Sequence, residues 1–397
     1  MIGAADVPCF RWIFRPFSSA ATRCPATRPK GSTLNRIARI APPSPTWLGA
    51  TLLVALFFAC PALAQNLSDA VISASPVTDV GKNDIALFIA DHAKGLSSAD
   101  AAVIRKAKNA LVAPLNNPQM SESFRREYGT QLVPIIGPLT TNASEPVALN
   151  ALRIAGTLGT NDGLQLAIRG LDDKRTSVRM MGASSTGLAI GMGRTRSKAL
   201  SSRNATDALD TLNTKMQAEQ DTHVLDTMML ALEDAMHVKA AELDGVRTKA
   251  TNLMLAHASR LARDTKGAPG LDSALAHATK ALGEAMLDTG PDKLLTAQVQ
   301  EAGGVAGDVV ARILRRLDAG LTDAERSQLG VIAKQCEAIV QRGTEFLGLK
   351  GKTYNLDDLL HEGKDAEFRA AAQNMFRDLV GTPFDRKDPA DRYPAKP

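Results

Sequence analysis

Aromatic side chains are scarce in this 397-residue chain, with 2 Trp, 3 Tyr and 11 Phe. A β-sheet core draws on aromatic and β-branched residues, so the shortage argues against sheets. Cysteine is rare too, with four in all, and Cys9, Cys24 and Cys60 fall in the first 64 residues. That leaves Cys336 alone in the body, where it can make no internal disulfide, so the core must hold the fold. No G-x-S-x-G, H-E-x-x-H, Walker or G-x-G-x-x-G string follows a plausible strand. No catalytic assignment and no cofactor follow from motifs.

One long apolar run is present, WLGATLLVALFFACPALA at 47–64. It falls short of the roughly 20 residues that span a bilayer comfortably. It carries Pro61 and closes on Ala62-Leu63-Ala64, the small-residue pattern of a processed export signal. Cleavage is expected between Ala64 and Gln65, leaving a periplasmic or secreted body. Residues 1–46 are longer than an ordinary basic leader, and three explanations stay open. Translation starts further downstream, or a transit peptide precedes the signal, or the run is an uncleaved anchor with the body on the same side of the membrane. Only the last brings the protein to a membrane. Cys60 follows LFFA, a poor match to the site of a lipidated cysteine.

The leader also distorts the charge. It holds seven of the 47 basic side chains and one of the 42 acidic ones, leaving 40 against 41, a net charge of −1. The basic pI belongs to residues 1–64, and nucleic-acid binding loses its support. The body is rich in Ala, Leu, Val, Ile and Met, whose small and flexible side chains suit layered helices.

Residues 65–82 read as an irregular linker. Helical periodicity begins near Asp84, and Val103, Ile104, Ala107 and Leu111 form a stripe in a helix capped by Ser98 and stopped at Pro114. The strongest internal repeat lies at 144–191. EPVALNALRIAGTLG and TSVRMMGASSTGLAIG match with an offset of 31, pairing Val147 with Val178, Ala151 with Gly182 and Gly156 with Gly187. Between them, NDGLQLAIRGLDD puts Leu164, Ala167, Ile168 and Leu171 on one side of a second helix. Each unit thus reads as a helix, a tight turn at Gly159 or Gly191, and a helix that cannot bury both faces unaided. Residues 205–220 and 221–239 read as another pair, and LAHASRLA and LAHATKAL, offset by 20, as one more.

The string L-D-D-x-x-x-x-V-R (Leu171, Asp172, Asp173, Val178, Arg179), with the Ala/Gly-rich helices ending in Leu-Gly or Ile-Gly, resembles the short HEAT-like repeats also found in phycobilin lyases. The match covers about 48 residues and is only suggestive at 98–140 and 221–240. The first unit has Ala148 in the arginine's place. The resemblance implies an all-α solenoid of antiparallel helix pairs that binds partners. It also implies an aspartate capping each incoming helix and an arginine lying along the next repeat. It fixes no activity.

The expected organisation is therefore a repeat array at 83–290, a smaller C-terminal helical bundle at 291–381 and a mobile, Pro-rich tail at 382–397. Gly303-Gly304 predicts a kink or break, and the Thr322/Glu325 capping box opens a long helix with Leu329, Ile332, Cys336, Ile339 and Val340 on one stripe.

The polar residues allow few sites. His223, Asp226, Glu233, Asp234 and His237 share an arc of one helix, and imidazoles with carboxylates can bind a divalent metal. His223 and His237 stand fourteen residues apart, about 21 Å along a helix, too far to share an ion. Glu233 and His237 could join a site only with ligands from another helix, so a solvated face is the simpler reading. His257 and His277, each between alanines, read as structural histidines whose rings approach if their helices are antiparallel neighbours. Cys336 reads as a buried, inert thiol. The glycines of GLAIGMGR (Gly187, Gly191, Gly193) read as a helix end, not a phosphate loop. Three sequons, at Asn66, Asn142 and Asn204, matter only in a host with an endoplasmic reticulum. The functional expectation is a non-catalytic scaffold for a protein or peptide partner, with Arg153, Arg169, Arg175 and Arg179 as charged contacts. A lyase-like or metal-assisted enzyme with its site between repeats, and a membrane-anchored structural envelope protein, are the alternatives.

Overall fold

The computed structural model describes residues 66–192, 199–243, 245–264, 270–288, 293–386 and 393. Residues 1–65, including the run read as an export signal, and Gly193 lie outside them, and so does the proline-rich end apart from 382–386 and Tyr393. Among the described residues every regular element is helical. The α-helices are α1 (Asp69–Ile72), α2 (Asp79–Ala93), α3 (Ala101–Val112), α4 (Glu122–Ile136), α5 (Glu145–Leu158), α6 (Asn161–Arg169), α7 (Thr176–Gly191) and α8 (Ser202–Ala218). They continue with α9 (Thr222–Met236), α10 (Val246–Arg263), α11 (Leu271–Ala285), α12 (Thr296–Asp318), α13 (Asp323–Phe346), α14 (Leu356–His361) and α15 (Asp365–Val380).

From α2 to α11 each helix packs on the helix two places along, and most also pack on their neighbour in sequence. The odd-numbered helices α3 to α13 form one layer, and α2, α4, α6, α8, α10, α12 and α15 form the other, with α14 against α13 and α15. The fold is an all-α solenoid of antiparallel helix pairs, as the repeat pattern predicts. Helix α12 packs on α10 and α13 on α11, as the helices before them do.

The local signals are physical. Gly159, with φ +59°, ends α5 in the left-handed conformation that glycine adopts without a steric penalty. Thr160 then caps α6 by accepting from the Gly163 N–H. Asp100, not Ser98, is the cap of α3, its carboxylate taking the Ala102 N–H at 2.7 Å. The shift leaves Ile104, Ala107 and Leu111 buried but Val103 42% exposed. The Thr322/Glu325 capping box of α13 is present with both bonds.

Two contacts set the spacing of the odd layer. A Cβ on Gly156 would sit 2.7 Å from the Ser185 carbonyl oxygen of α7, and one on Gly187 2.7 Å from the Ala231 Cα of α9. Absent side chains at these paired positions of the repeat let the backbones touch. Leucines and alanines fill the interior between the layers, each fully buried leucine contributing about 1.5–3 kcal/mol. Aromatic packing lies toward the two ends: Phe88, Phe124 and Tyr128 cluster in the N-terminal core, and Phe368, Phe376 and Phe384 are buried near the C-terminus.

Gly303 and Gly304 do not break α12. They are a bed for the C-terminal segment: a Cβ on Gly303 would fall 2.5 Å from the Phe384 ring, and one on Gly307 2.6 Å from Tyr393. Phe384 is buried, Tyr393 stacks on Phe376 with ring centroids 4.7 Å apart, and Arg386 pairs with Glu301. Residues 382–386 and Tyr393 thus lie against α12 and α15, where two aromatic rings meet helix surfaces cleared of side chains.

Candidate functional site

Helix α9 turns Val224, Leu225, Met228, Met229, Leu232 and Ala235 into the core. Its opposite face carries Asp226, Glu233, Asp234 and His237, four of the five residues singled out from the sequence. His223 lies exposed in the first turn, outside the group. Helix α11 adds His277, Lys280 and Glu284, which sequence reasoning did not join to it. Their i, i+3 and i+7 spacing marks one helix face, but nothing local says that this face meets α9.

The contacts between the two helices are specific. Lys280 Nζ donates to Glu233 Oε1 at 2.8 Å and lies 3.5 Å from Glu284 Oε1. His237 Nε2 stands 3.7 Å from Glu284 Oε2. His277 sits between two carboxylates, with Nε2 3.6 Å from Asp226 Oδ1 and Nδ1 3.7 Å from Glu233 Oε2. Those two oxygens are buried and accept no hydrogen bond. Burial opposes the charge on Glu233, yet His277 and Lys280 outweigh it and hold its carboxyl down at about 2. Glu233, His237 and Glu284 each bring one donor atom within 4.8 Å of the others.

The same layer continues toward α3. Arg153 of α5 is half-buried; desolvation lowers its pKa and the charge of Asp234, from α9, partly restores it. Between them, α7 presents Gly187, where a Cβ would come within 3.0 Å of Asp234 Oδ2. The aspartate therefore leans over a helix that has no side chain at that point. Lys108 of α3 is depressed by burial and then by the like charges of Arg153 and Arg105. The face thus runs from cationic at α3 and α5 to predominantly anionic at α9, with α7 between.

The four predicted arginines separate. Arg153 lies on this face. Arg169 ends α6 in the other layer and is exposed. Arg175 binds the Asp173 carboxylate at 2.7 and 2.9 Å and donates to the carbonyls of Asn142 and Ala143, which precede α5. Arg179 binds Glu219, in the loop before α9, at 2.8 and 3.2 Å, and donates to the Asp173 and Lys174 carbonyls. These two guanidinium groups tie three successive loops together. Burial works against charge on Glu219, and Arg179 with the Asp221 and Gln220 N–H groups overcomes it to keep the carboxyl low. Asp173, bonded to the Arg175 guanidinium and N–H, drops to about 2.

His257 and His277 do not meet. His257 belongs to the even layer, where its Nε2 lies 2.8 Å from Asn213 Oδ1 of α8 and its Nδ1 faces Arg260. An imidazole with a donor on one nitrogen and an acceptor on the other satisfies both neighbours only when neutral. Burial, then Arg260, push it down to about 4. Cys336 is fully buried, and desolvation pushes its thiol pKa up, as expected of an inert core cysteine.

A second polar cluster was missed entirely. Ser259 of α10 donates to Asp308 of α12 at 2.5 Å, and Arg312 binds Asp272 of α11 at 3.1 Å. Arg316 joins Asp272 to Glu325 of α13. Asp308 and Arg312, four apart inside an apolar helix, were the signal for it. A shallow groove of about 280 Å³ between α10 and α12 is lined by Asn252, Leu255, Gln298 and Glu301, with Glu301 its charged group.

No protein-family model and no curated protein matches the chain. Among solved structures, an engineered protein aligns at 14% identity over 65% of this chain and 98% of its own, with a TM-score of 0.35. A designed armadillo repeat protein aligns at 14% identity over 64% and 98%, with a TM-score of 0.34. A second engineered protein covers 79% of this chain and 94% of its own at 14% identity, with a TM-score of 0.24. These scores are low, and the fold assignment rests on the helix packing itself. The chain is a helical repeat protein. No helix among the described residues is long and apolar enough to cross a membrane.

Proposed function

We propose that the protein is an exported, non-catalytic scaffold of HEAT-like type that binds a protein or peptide along the face of α5, α7, α9 and α11. The observation that carries this reading is the charge order of that face. Cations at Lys108 and Arg153 stand on one side of α7. The carboxylates of α9 stand on the other. An extended partner lying along α7 would meet both signs without a deep pocket, the mode of recognition that repeat arrays offer. The export signal at 47–64 supports a periplasmic or secreted setting, and the body's net charge of −1 speaks against nucleic acid.

The test is crosslinking and affinity capture with the full chain from its native compartment, followed by charge reversal. Lys108→Glu should weaken the captured complex at least about tenfold, as loss of one well-placed charge contact does, with the helical CD signal unchanged. Arg169→Glu, on the other layer, reports whether that side contributes. Capture that survives Lys108→Glu but fails with Arg169→Glu would move the binding face to the even layer and refute this one. N-terminal sequencing of the native protein addresses the leader, since a start near Gln65 excludes the anchor.

A further inference from the structure

We infer that Glu233, His237 and Glu284 form a site for one divalent transition-metal ion, of the zinc type, bridging α9 to α11. The argument rests on how the carboxylate oxygens are divided. Lys280 lies nearest Oε1 of both glutamates, at 2.8 and 3.5 Å. That leaves the two Oε2 atoms. Glu233 Oε2 is buried and accepts no hydrogen bond, and Glu284 Oε2 faces His237 Nε2 at 3.7 Å. Each of the three residues offers one donor, an imidazole nitrogen or a carboxylate oxygen, and these donors lie within 4.8 Å of one another.

Zinc takes such donors at about 2.0–2.2 Å, which places tetrahedral ligands roughly 3.3 Å apart. The donors need to close in by up to about 1.5 Å, within the reach of glutamate side chains. Three protein ligands leave a fourth position for water or for a group from a partner. The surroundings supply what such ligands require. His277, with Nδ1 3.7 Å from Glu233 Oε2, can orient that carboxylate, and Lys280 fixes both glutamates through their other oxygens. Asp226 and Asp234 keep the neighbourhood anionic despite Lys280. Glu233 and His237 are i, i+4 on one helix, and the third ligand comes from the adjacent repeat. The ion would therefore lock two repeats as well as occupy the face. The inference does not depend on the partner proposed above.

Titration of the metal-stripped full chain with zinc chloride by calorimetry, and with cobalt(II) by visible absorption, tests it. One ion per chain is expected, with the intense absorption of tetrahedral cobalt. Glu233→Gln and His237→Ala should each abolish saturable binding at micromolar metal. His277→Ala should weaken it about tenfold, the lower end of the cost of losing a supporting residue. His223→Ala, on the same helix but outside the cluster, should bind as the parent does. The side chains of His237 and Glu284 are partly exposed and that of Glu233 is largely buried, so far-UV CD checks that each variant is folded. No stoichiometric binding by the parent, or equal binding by the parent and His237→Ala, overturns the inference.

Discussion

Alanine at Gly156 and alanine at Gly283 should move stability in opposite directions, although both positions lie inside helices. Replacing a helical glycine gains about 1 kcal/mol from reduced freedom of the unfolded chain. At Gly156 the new Cβ meets Ser185 of α7 at 2.7 Å (O), 2.8 Å (Cα) and 2.9 Å (Cβ). Two of these are backbone atoms, which no rotamer change can move, so α5 and α7 must separate. Overpacking of this kind costs about 1–3 kcal/mol, and a backbone clash belongs at the upper end. The net loss is about 1–2 kcal/mol. At Gly283 of α11 the nearest atoms, Arg342 Nη1 and Ile339 Cγ1, stand at 3.7 and 3.8 Å, ordinary contact distances. The propensity gain there survives almost whole. With about 2 °C per kcal/mol for a chain of this size, thermal unfolding followed by far-UV CD should show Gly156→Ala about 2–4 °C below the parent. Gly283→Ala should lie about 1–2 °C above it. Shifts of the same sign would mean that the close approach of α5 to α7 does not set the layer spacing.

Other perturbations follow from buried or cross-repeat contacts. His257 is held neutral down to about 4, against about 6.5 in the unfolded chain. The unfolded state therefore takes up a proton first as pH falls. Stability from this group is intact above about 6.5, declines through the interval, and has fallen by on the order of 3 kcal/mol near pH 4. Urea denaturation of His257→Gln should lack that part of the acid loss, and an unchanged pH dependence would contradict the assignment. The Arg179–Glu219 pair, with side chains 19% and 10% exposed, should show a coupling of about 1–3 kcal/mol in a double-mutant cycle. A value below about 0.5 kcal/mol would class it with surface pairs. Phe384→Ala should cost about 3–5 kcal/mol locally, read as faster amide exchange in α12 and α15. Unaltered exchange there would show that the ring is not part of the core.

Helix positions and partners in sequence were readable because the signals are local: Gly159 at a left-handed turn, the Thr322/Glu325 box, and the buried stripe from Leu329 to Val340. The docking of residues 382–386 was not. Four prolines in 382–397 argue for an extended tail, and only tertiary structure reveals that Gly303 and Gly307 leave room for Phe384 and Tyr393. Half of the charged face was legible too. The arc on α9 follows from helical geometry, whereas its completion by His277, Lys280 and Glu284 depends on α11 lying beside α9 two elements later. Arg175 and Arg179 show the reverse problem. Their sequence positions look like exposed contacts, but the loops they bind are 32 to 40 residues away, a distance that no spacing rule within one repeat covers.

The buried Ser259–Asp308 contact of α10 with α12 and the buried Arg312–Asp272 contact of α11 with α12 make the seams at α12 unlike those between α5, α7 and α9. Where alanine and leucine meet glycine, as between α5, α7 and α9, a duplicated helix pair could be spliced in with greasy surface facing greasy surface. At α12 the insert would confront an aspartate and an arginine that accept only their own counterparts. Engineered lengthening of this molecule should therefore succeed upstream of α10 and fail at α12, because charge there acts as a keyed joint.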